Sequence, residues 1–357
     1  MTITIDCRMI KAGSGIGVYL RECLKWILDS PHSFLLLGSE KRLKEAAGGR
    51  ENTCVLECTA KPFSLRELCC FGSGVLKKIN NTDLFYSPFF NVPAGINIPV
   101  FTTIHDIIFP DMPELSGRLG LKARMYFYRR AYRVSKKIFT VSEFSKSRIQ
   151  YHLGYDKPLV VTYNAAQSYL SEPFSYLPPK KDIILFIGNI KKHKGLSCLL
   201  EAFLEARKEG LTSKLVIAGG AENFRSRDSG IMERANDLDG EGVEFTGFIP
   251  NERLKILLAE AALLVQPSLY EGFGYPPLEA MAVGTPALIS DIPVFREIYG
   301  AFPVTFFKAG DSGDLKEKLL SLLLNKKPQR LSLSPDLAEK YSFKKTAGII
   351  LEELEKP

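Results

Sequence analysis

The feature that most constrains this chain is a rhythm. Short apolar runs alternate with helical patterns, the alternation breaks once, and it then restarts. Thr2 to Ile5, Phe34 to Leu37, Leu84 to Ser87, Val100 to Ile104, Ile138 to Val141 and Leu159 to Tyr163 are such runs. Short, continuous and rich in β-branched or aromatic residues, they read as strands buried on both faces. Helical patterns lie between them, through Tyr19, Leu20 and Leu24 to Ile27, and over Leu65 to Lys77. Such alternation predicts a parallel sheet with helices on both faces. Residues 168–181 have no periodicity and contain Pro173, Pro178 and Pro179, as a linker does. The rhythm resumes with Ile183 to Ile187, Lys214 to Ala218, Val243 to Thr246, Ala261 to Val265 and Ala287 to Ile289. Helical patterns cover Leu196 to Lys208, Leu315 to Leu324 and Ala347 to Leu354. The expected organisation is a first Rossmann-like domain over 1–167, a linker over 168–181 and a second such domain over 182–340. A C-terminal helix within 341–357 is expected to pack back on the first domain. A length of 357 residues suits two domains.

Composition narrows the setting. The chain is 45% apolar and 24% charged, ordinary values for a globular protein. No apolar run approaches a membrane span, and the N-terminus lacks the charged and apolar regions of a signal peptide. A cytoplasmic location is therefore expected. Seven cysteines is an odd number, and Cys54/Cys58 and Cys69/Cys70 lack zinc or redox spacing, so free thiols are expected. A net charge of +7 permits a polyanionic or membrane-surface partner without requiring one.

The chemistry concentrates in Pro267 to Pro286, between two of the strand-like runs. Gly272 and Gly274 allow a tight turn and close backbone approach to a ligand. Pro276 and Pro277 then open a helix, where a missing N–H costs nothing. The N–H groups of Phe273, Gly274 and Tyr275 at that helix start form an anion seat. Glu271 precedes the loop and Glu279 lies in the first helical turn. A carboxylate accepts two hydroxyl hydrogen bonds at once. Two carboxylates beside an anion seat suit a ligand with an anionic centre and hydroxylated ends, such as a nucleotide-sugar. Taken singly, each glutamate is equally a solvated charge near a helix start.

The whole stretch resembles the Glu-x7-Glu signature of the family 4 retaining glycosyltransferases, which have the GT-B fold. That resemblance implies two Rossmann-like domains with parallel sheets facing across a cleft. It also implies that Glu271 contacts the transferred sugar and Glu279 the ribose. Gly13 to Gly17 fits a nicotinamide fingerprint poorly and resembles the family's Gly-Ile-Gly-x-Tyr loop, which assigns Gly15 and Gly17 to the donor side. On residue type alone it is equally a flexible strand-to-helix loop. His105-Asp106 ends a strand-like run, where open α/β sheets place ligands, and the family carries its sugar-adjacent histidine there. Ser142 to Lys146 opens a helix with a serine cap and matches another family element. Gly188-Asn189-Ile190-Lys191-Lys192-His193-Lys194-Gly195 resembles the phosphate-gripping element, with Lys194 as the diphosphate lysine. Many relatives place arginine where this chain has Asn189, so Lys191 is the candidate second cation. Gly247-Phe248-Ile249-Pro250 resembles the loop beside the nucleotide base, with Asn251 expected to cap the next helix.

Two segments resist a single reading. Arg118 to Lys137 is the most basic stretch and interleaves Tyr126, Phe127, Tyr128 and Tyr132 with its charges. By helical spacing the charges do not share one stripe, so a solvated basic face competes with a surface for anionic lipid. No motif for nucleic acid accompanies it. Asp237-Leu238-Asp239 mimics an Asp-x-Asp metal motif but lies in a turn-rich connection, so no catalytic metal and no cofactor is expected. The expected activity is metal-independent hexosyl transfer from a nucleotide-diphosphate sugar to a saccharide or lipid-linked saccharide. The base (GDP, UDP or dTDP) is open, and the expected setting is cell-envelope polysaccharide synthesis at the inner face of the cytoplasmic membrane. The rivals are a sugar-nucleotide epimerase of the same fold, a glycosidase using Glu271 and Glu279, and a non-catalytic nucleotide-sugar sensor.

Overall fold

The computed structural model describes residues 1–10, 14–64, 67–68, 71–219, 238 and 240–356. Two compact units emerge, Met1–Asn164 with Tyr341–Pro357, and Ala165–Lys340. Each is a parallel sheet flanked by helices.

In the first unit the strands are β1 (Thr2–Asp6), β2 (Ser33–Gly38), β3 (Thr53–Glu57), β4 (Leu84–Ser87), β5 (Val100–Thr103), β6 (Ser135–Thr140) and β7 (Leu159–Val161). They line up in the order β3-β2-β1-β4-β5-β6-β7, every pair parallel. The order reverses between β1 and β4, which makes a crevice at their C-terminal ends. Central strands β4 and β5 are buried at every residue, as expected for a sheet covered on both faces. Helix α1 (Gly15–Ile27) starts where the Ser14 side chain accepts the Gly17 N–H at 3.0 Å and buries Leu20, Cys23, Leu24 and Ile27. Helices α2 (Glu40–Ala47), α3 (Ser73–Asn80), α4 (Arg118–Val134) and α5 (Glu143–Leu153) complete the crossovers. Ser142 caps α5 through the Ser145 N–H, as its sequence suggests.

Two local expectations need correcting. The helical pattern read over Leu65 to Lys77 is interrupted: Glu67 and Leu68 are helical, the helix is broken at Phe71 and Gly72, where Gly72 stands at φ +90°, and α3 begins at Ser73. Leu65, Arg66, Cys69 and Cys70 lie outside the described residues. Gly15 and Gly17 sit in the first turn of α1 rather than in an open loop, and the Gly17 N–H is taken by the Ser14 cap.

In the second unit the strands are β8 (Lys181–Ile187), β9 (Lys214–Ala218), β10 (Val243–Gly247), β11 (Ala261–Gln266), β12 (Ala287–Ser290) and β13 (Thr305–Phe307). Their order is β10-β9-β8-β11-β12-β13, the nucleotide-binding order, reversing between β8 and β11. Its helices are α6 (Leu196–Lys208), α7 (Asn251–Glu260), α8 (Tyr275–Ala282), α9 (Pro293–Tyr299) and α10 (Ser312–Leu323). Asn251 is the first residue of α7 rather than its cap, a position occupied by Pro250. One face of the sheet buries Ile184, Phe186, Ile217, Leu263 and Val265 against Leu199 and Phe203 of α6 and Leu315 and Leu319 of α10. Residues 168–171 form a 3-10 turn that packs with this unit, and Lys181 already belongs to β8.

Helix α11 (Phe343–Glu355) belongs to the first unit and packs on α1. Ser342 caps it by accepting the Lys345 N–H at 3.2 Å. Thr346 donates to the Tyr163 carbonyl, and Lys137 and His32 pair with Glu353 and Glu355.

Candidate active site

The two chemistry-bearing loops of the second unit leave the C-terminal ends of β8 and β11, the neighbouring strands at which the order reverses. The first loop runs through Gly188 to a single 3-10 turn, Lys192–Lys194, and enters α6 after Gly195. The second runs from Pro267 to Gly274 and enters α8. Backbone contacts lock them together. The Leu269 N–H donates to the His193 carbonyl at 2.8 Å. Gly195, at φ +67°, lies so close to Pro267 that a Cβ there would meet its carbonyl oxygen at 1.9 Å. On the far side, Gly274 at φ +85° leaves no room for a Cβ against the Phe295 ring, and Tyr299 donates its hydroxyl to the Gly274 carbonyl. The loops therefore form one body, although 77 residues separate Lys194 from Glu271.

Within it, the Lys194 ammonium donates to both oxygens of Glu271, at 2.7 and 2.8 Å. Ser268 donates to Glu271 Oε1 at 2.7 Å and itself accepts from the Gln266 amide at 2.9 Å. Burial pushes the Glu271 carboxyl up, but the Lys194 charge and hydrogen bonds, with Ser268, outweigh it, and the carboxyl titrates below its ordinary range. Burial, together with the adjacent Lys194 charge, pushes His193 down to about 4, so its ring is neutral at physiological pH. Glu279 is the fifth residue of α8, in its second turn and not in the first as expected from sequence, because the helix begins at Tyr275. It is 4% exposed and accepts from the Gln167 amide at 2.9 Å. The site thus holds one lysine and two carboxylates around a helix start, and the lysine is already shared with one of the carboxylates.

The remaining donor-side residues are distributed as follows. The Phe273 ring is buried, so only its backbone can face a ligand, and Tyr275 tilts against it at 5.9 Å between centroids. Gly188 lies at the exit of β8, where its N–H donates to the Ala218 carbonyl, and Asn189 and Lys191 follow it, half-buried. Gly247 ends β10 at φ +65° and is followed by Phe248, which is 66% exposed. In the first unit, His105 follows β5, half-buried, and Tyr19 meets its ring edge-on at 4.7 Å. Its Nε2 lies 2.9 Å from the Pro88 carbonyl oxygen. A carbonyl only accepts, so Nε2 carries the proton and Nδ1 is the acceptor. Burial pushes this histidine down to about 4 as well, keeping it neutral.

Three participants were not anticipated from sequence. Ser268 stands three residues before Glu271, and its position in the same loop was the available signal. Gln266 is the last residue of β11, where a buried polar side chain in an apolar strand was another. Gln167 carries no local signal, because its partner Glu279 is 112 residues away. Among the described residues no group of three metal-ligating side chains converges, and Asp237 and Asp239 lie outside them.

Two doubly wound parallel units, the second with its polar residues at the β8/β11 reversal, define the GT-B class. Solved structures of that class cover the whole chain. HepE of Anabaena with UDP and glucose gives a TM-score of 0.74 at 16% identity, covering 99% of both chains. Sucrose-phosphate synthase of Thermosynechococcus elongatus gives 0.73 at 15%, again covering 99% of both. Two family profiles match in succession, Glycosyltransferase Family 4 over residues 14–167 and Glycosyl transferases group 1 over 171–335. The chain belongs to the glycosyltransferases that these two domains define. Among curated proteins it is 29% identical over 228 residues to O-antigen chain mannosyltransferase B of Escherichia coli, covering 61% of this chain and 59% of that one. It is 30% identical over 232 residues to O-antigen chain mannosyltransferase RfbU of Salmonella typhimurium, covering 63% and 60%. The matched region thus spans about three fifths of these relatives. No helix among the described residues is long and apolar enough to cross a membrane.

Proposed function

We propose that this protein transfers a hexosyl unit, with retained configuration, from a nucleotide-diphosphate sugar to a hydroxyl of a saccharide or lipid-linked saccharide. The observation that carries the reading is the Lys194–Glu271 pair beside Glu279 at the strand-order reversal of the second unit. A diphosphate reaching this site attracts the Lys194 ammonium. That frees Glu271 oxygens to accept sugar hydroxyls, so donor binding exchanges one internal charge pair for contacts at both ends of the donor. Lys194 and the backbone N–H groups at the start of α8 then stabilise charge developing on the leaving diphosphate. Glu279, oriented by Gln167, accepts from the ribose diol. His105 offers Nδ1 to a sugar hydroxyl. Gly188, Asn189, Lys191, Gly247 and Phe248 complete the donor side, with Phe248 as the face for the base. None of these roles needs a metal or a resident cofactor. The two O-antigen mannosyltransferase relatives make mannose the first sugar to test and polysaccharide synthesis the setting.

A glycosidase needs one carboxyl held protonated as general acid. Glu271 is driven the other way. An epimerase of the same fold would bind the same donor, need no acceptor and return the nucleotide still bonded to a sugar. The first experiment is a thermal-shift panel of UDP, GDP and dTDP, followed by sugar transfer from the matching donor in excess EDTA. A bound diphosphate at a hundred times its dissociation constant adds about 2.7 kcal/mol. If no nucleotide diphosphate stabilises the protein, the reading is wrong.

The two glutamates should separate kinetically. Glu279→Ala should weaken free nucleotide binding. Glu271→Gln should leave nucleotide affinity nearly intact and lower kcat, because its partner is the sugar. Equal loss of nucleotide affinity in both variants, measured by calorimetry, contradicts this division.

A further inference from the structure

The basic segment Arg118 to Lys137 takes no part in the site described above, and its structure resolves what its spacing left open. Residues 118–134 form α4, the crossover between β5 and β6. Its sequence contains no acidic residue, and neither does the remainder of the segment up to Lys137. Apart from Lys136, exposed on β6, the basic side chains fall into two groups. Arg124 stacks on Phe109 at 3.8 Å, Arg130 donates to the Val92 and Pro93 carbonyls, and Lys137 pairs with Glu353. These serve the fold. Arg118, Lys122, Arg129 and Arg133 are all exposed, and at helical spacing they share one stripe of the helix. The full set of charges shares no stripe, as expected from sequence, but the ones that break it are used internally and the exposed ones align.

Beside that stripe lies an exposed apolar one. Leu119 is 83% exposed and Tyr126 49%, with Ala123 and Val134 also exposed. Tyr126 adjoins Phe127, at 5.6 Å between ring centroids, and Phe127 meets Phe63 at 5.1 Å. Phe63 is itself 37% exposed and stands at φ +62°, unusual for a residue with a side chain. Its N–H donates to Glu67, which a buried Arg8 holds from the other side. An unbalanced basic stripe next to exposed leucine and aromatic rings is the surface expected of a helix lying in a bilayer interface. A mixed-charge solvated face would interleave acids, and this one has none.

We propose that the exposed face of α4, Arg118, Leu119, Lys122, Tyr126, Arg129 and Arg133, docks this protein on anionic lipid bilayers. The basic stripe meets the headgroups, and Leu119 and Tyr126 enter the acyl boundary. This rests on the transferase reading only in supplying a reason, a lipid-linked acceptor, and its test does not use activity. Flotation compares phosphatidylglycerol-containing vesicles with pure phosphatidylcholine at low and high salt. Binding is expected to the anionic vesicles alone and to be released by salt, since the attraction decays within about 8 Å at physiological ionic strength. Each of Lys122→Gln, Arg129→Gln and Arg133→Gln should lower vesicle affinity about fivefold, the fold-change for about 1 kcal/mol per basic residue near the surface. Tyr126→Ser should weaken binding while leaving its salt dependence in place. Circular dichroism and nucleotide affinity, both expected unchanged in these exposed-site variants, separate loss of docking from loss of fold or of the donor site. Equal recovery with both vesicle types, no recovery with either, or wild-type flotation of the triple glutamine variant overturns the proposal. Retention of the wild type by an acidic protein but not by anionic vesicles overturns it in favour of a protein partner.

Discussion

Lys194→Ala should abolish transfer, weaken nucleotide diphosphate binding and destabilise the second unit, all from one missing ammonium. The binding loss should fall at about 1.5–3 kcal/mol, the range for a hydrogen bond to a charged group. The stability loss has a different origin. Glu271 is buried and would keep its charge with only Ser268 as a donor. Breaking a buried pair from one side costs about 3–5 kcal/mol, and the low end applies here, because solvent reaching the two side chains at 20% and 10% exposure screens them. The pH dependence distinguishes the two effects. In the native protein Glu271 titrates below its ordinary value of 4.5, so the stability it contributes is complete above the unfolded value and lost as pH falls through the folded one. In Lys194→Ala, burial is opposed chiefly by the Ser268 hydrogen bond, and that carboxyl should rise from its wild-type position. The deficit against wild type should then be largest at neutral pH and shrink as acid protonates Glu271. Denaturant melts across pH measure this directly. The double variant Lys194→Met with Glu271→Gln should regain stability without regaining diphosphate affinity. Calorimetry showing unchanged diphosphate affinity in a folded Lys194→Ala protein would falsify the assignment.

Gly195→Ala should be at least as damaging, although it removes no functional group. The added Cβ would lie 1.9 Å from the Pro267 carbonyl oxygen, which is backbone and has no rotamer to relieve it. The residue would also have to hold φ +67°, costing about 1–2 kcal/mol for a residue with a Cβ. The cheapest relief is to part the two loops, breaking the Leu269 N–H to His193 bond and drawing Lys194 away from Glu271. The expected result is a melting transition several degrees lower, a loss of nucleotide affinity as Lys194 leaves its position, and a transfer rate lower by about a hundredfold, the cost of misplacing a positioned group by about 1 Å. Gly210→Ala is the control. That glycine also has a positive φ, +99°, but no atom would touch its Cβ, so it should lose some stability and keep nucleotide affinity. Equal nucleotide affinity in Gly195→Ala and wild type would show that the docked loops are not what positions Lys194.

These two results divide along the line between what sequence specifies and what packing decides. The apolar runs at Ala261 to Val265 and Ile183 to Ile187, the Ser142 cap and the glycine- and proline-rich entry to α8 were legible, because periodicity, caps and turns depend on residues a few positions apart. Glu271, Glu279 and Lys194 were also legible as residue types in local patterns. Their partners were not. Lys194 meets Glu271 only because β8 and β11 are neighbours at the reversal of strand order, and nothing local to either loop encodes that adjacency. Gln167 reaches Glu279 across 112 residues because the 3-10 turn that follows it packs on α8, which is equally non-local. The break before α3 was missed because a helical pattern over Leu65 to Lys77 does not register that Gly72 adopts a positive φ. The basic segment shows the division within one helix. Its sequence determined how many charges it carries. Only the tertiary structure decided that Phe109, Val92 and Pro93 take up Arg124 and Arg130 and that Arg118, Lys122, Arg129 and Arg133 remain facing solvent, because a side chain's employment depends on what packs beside it.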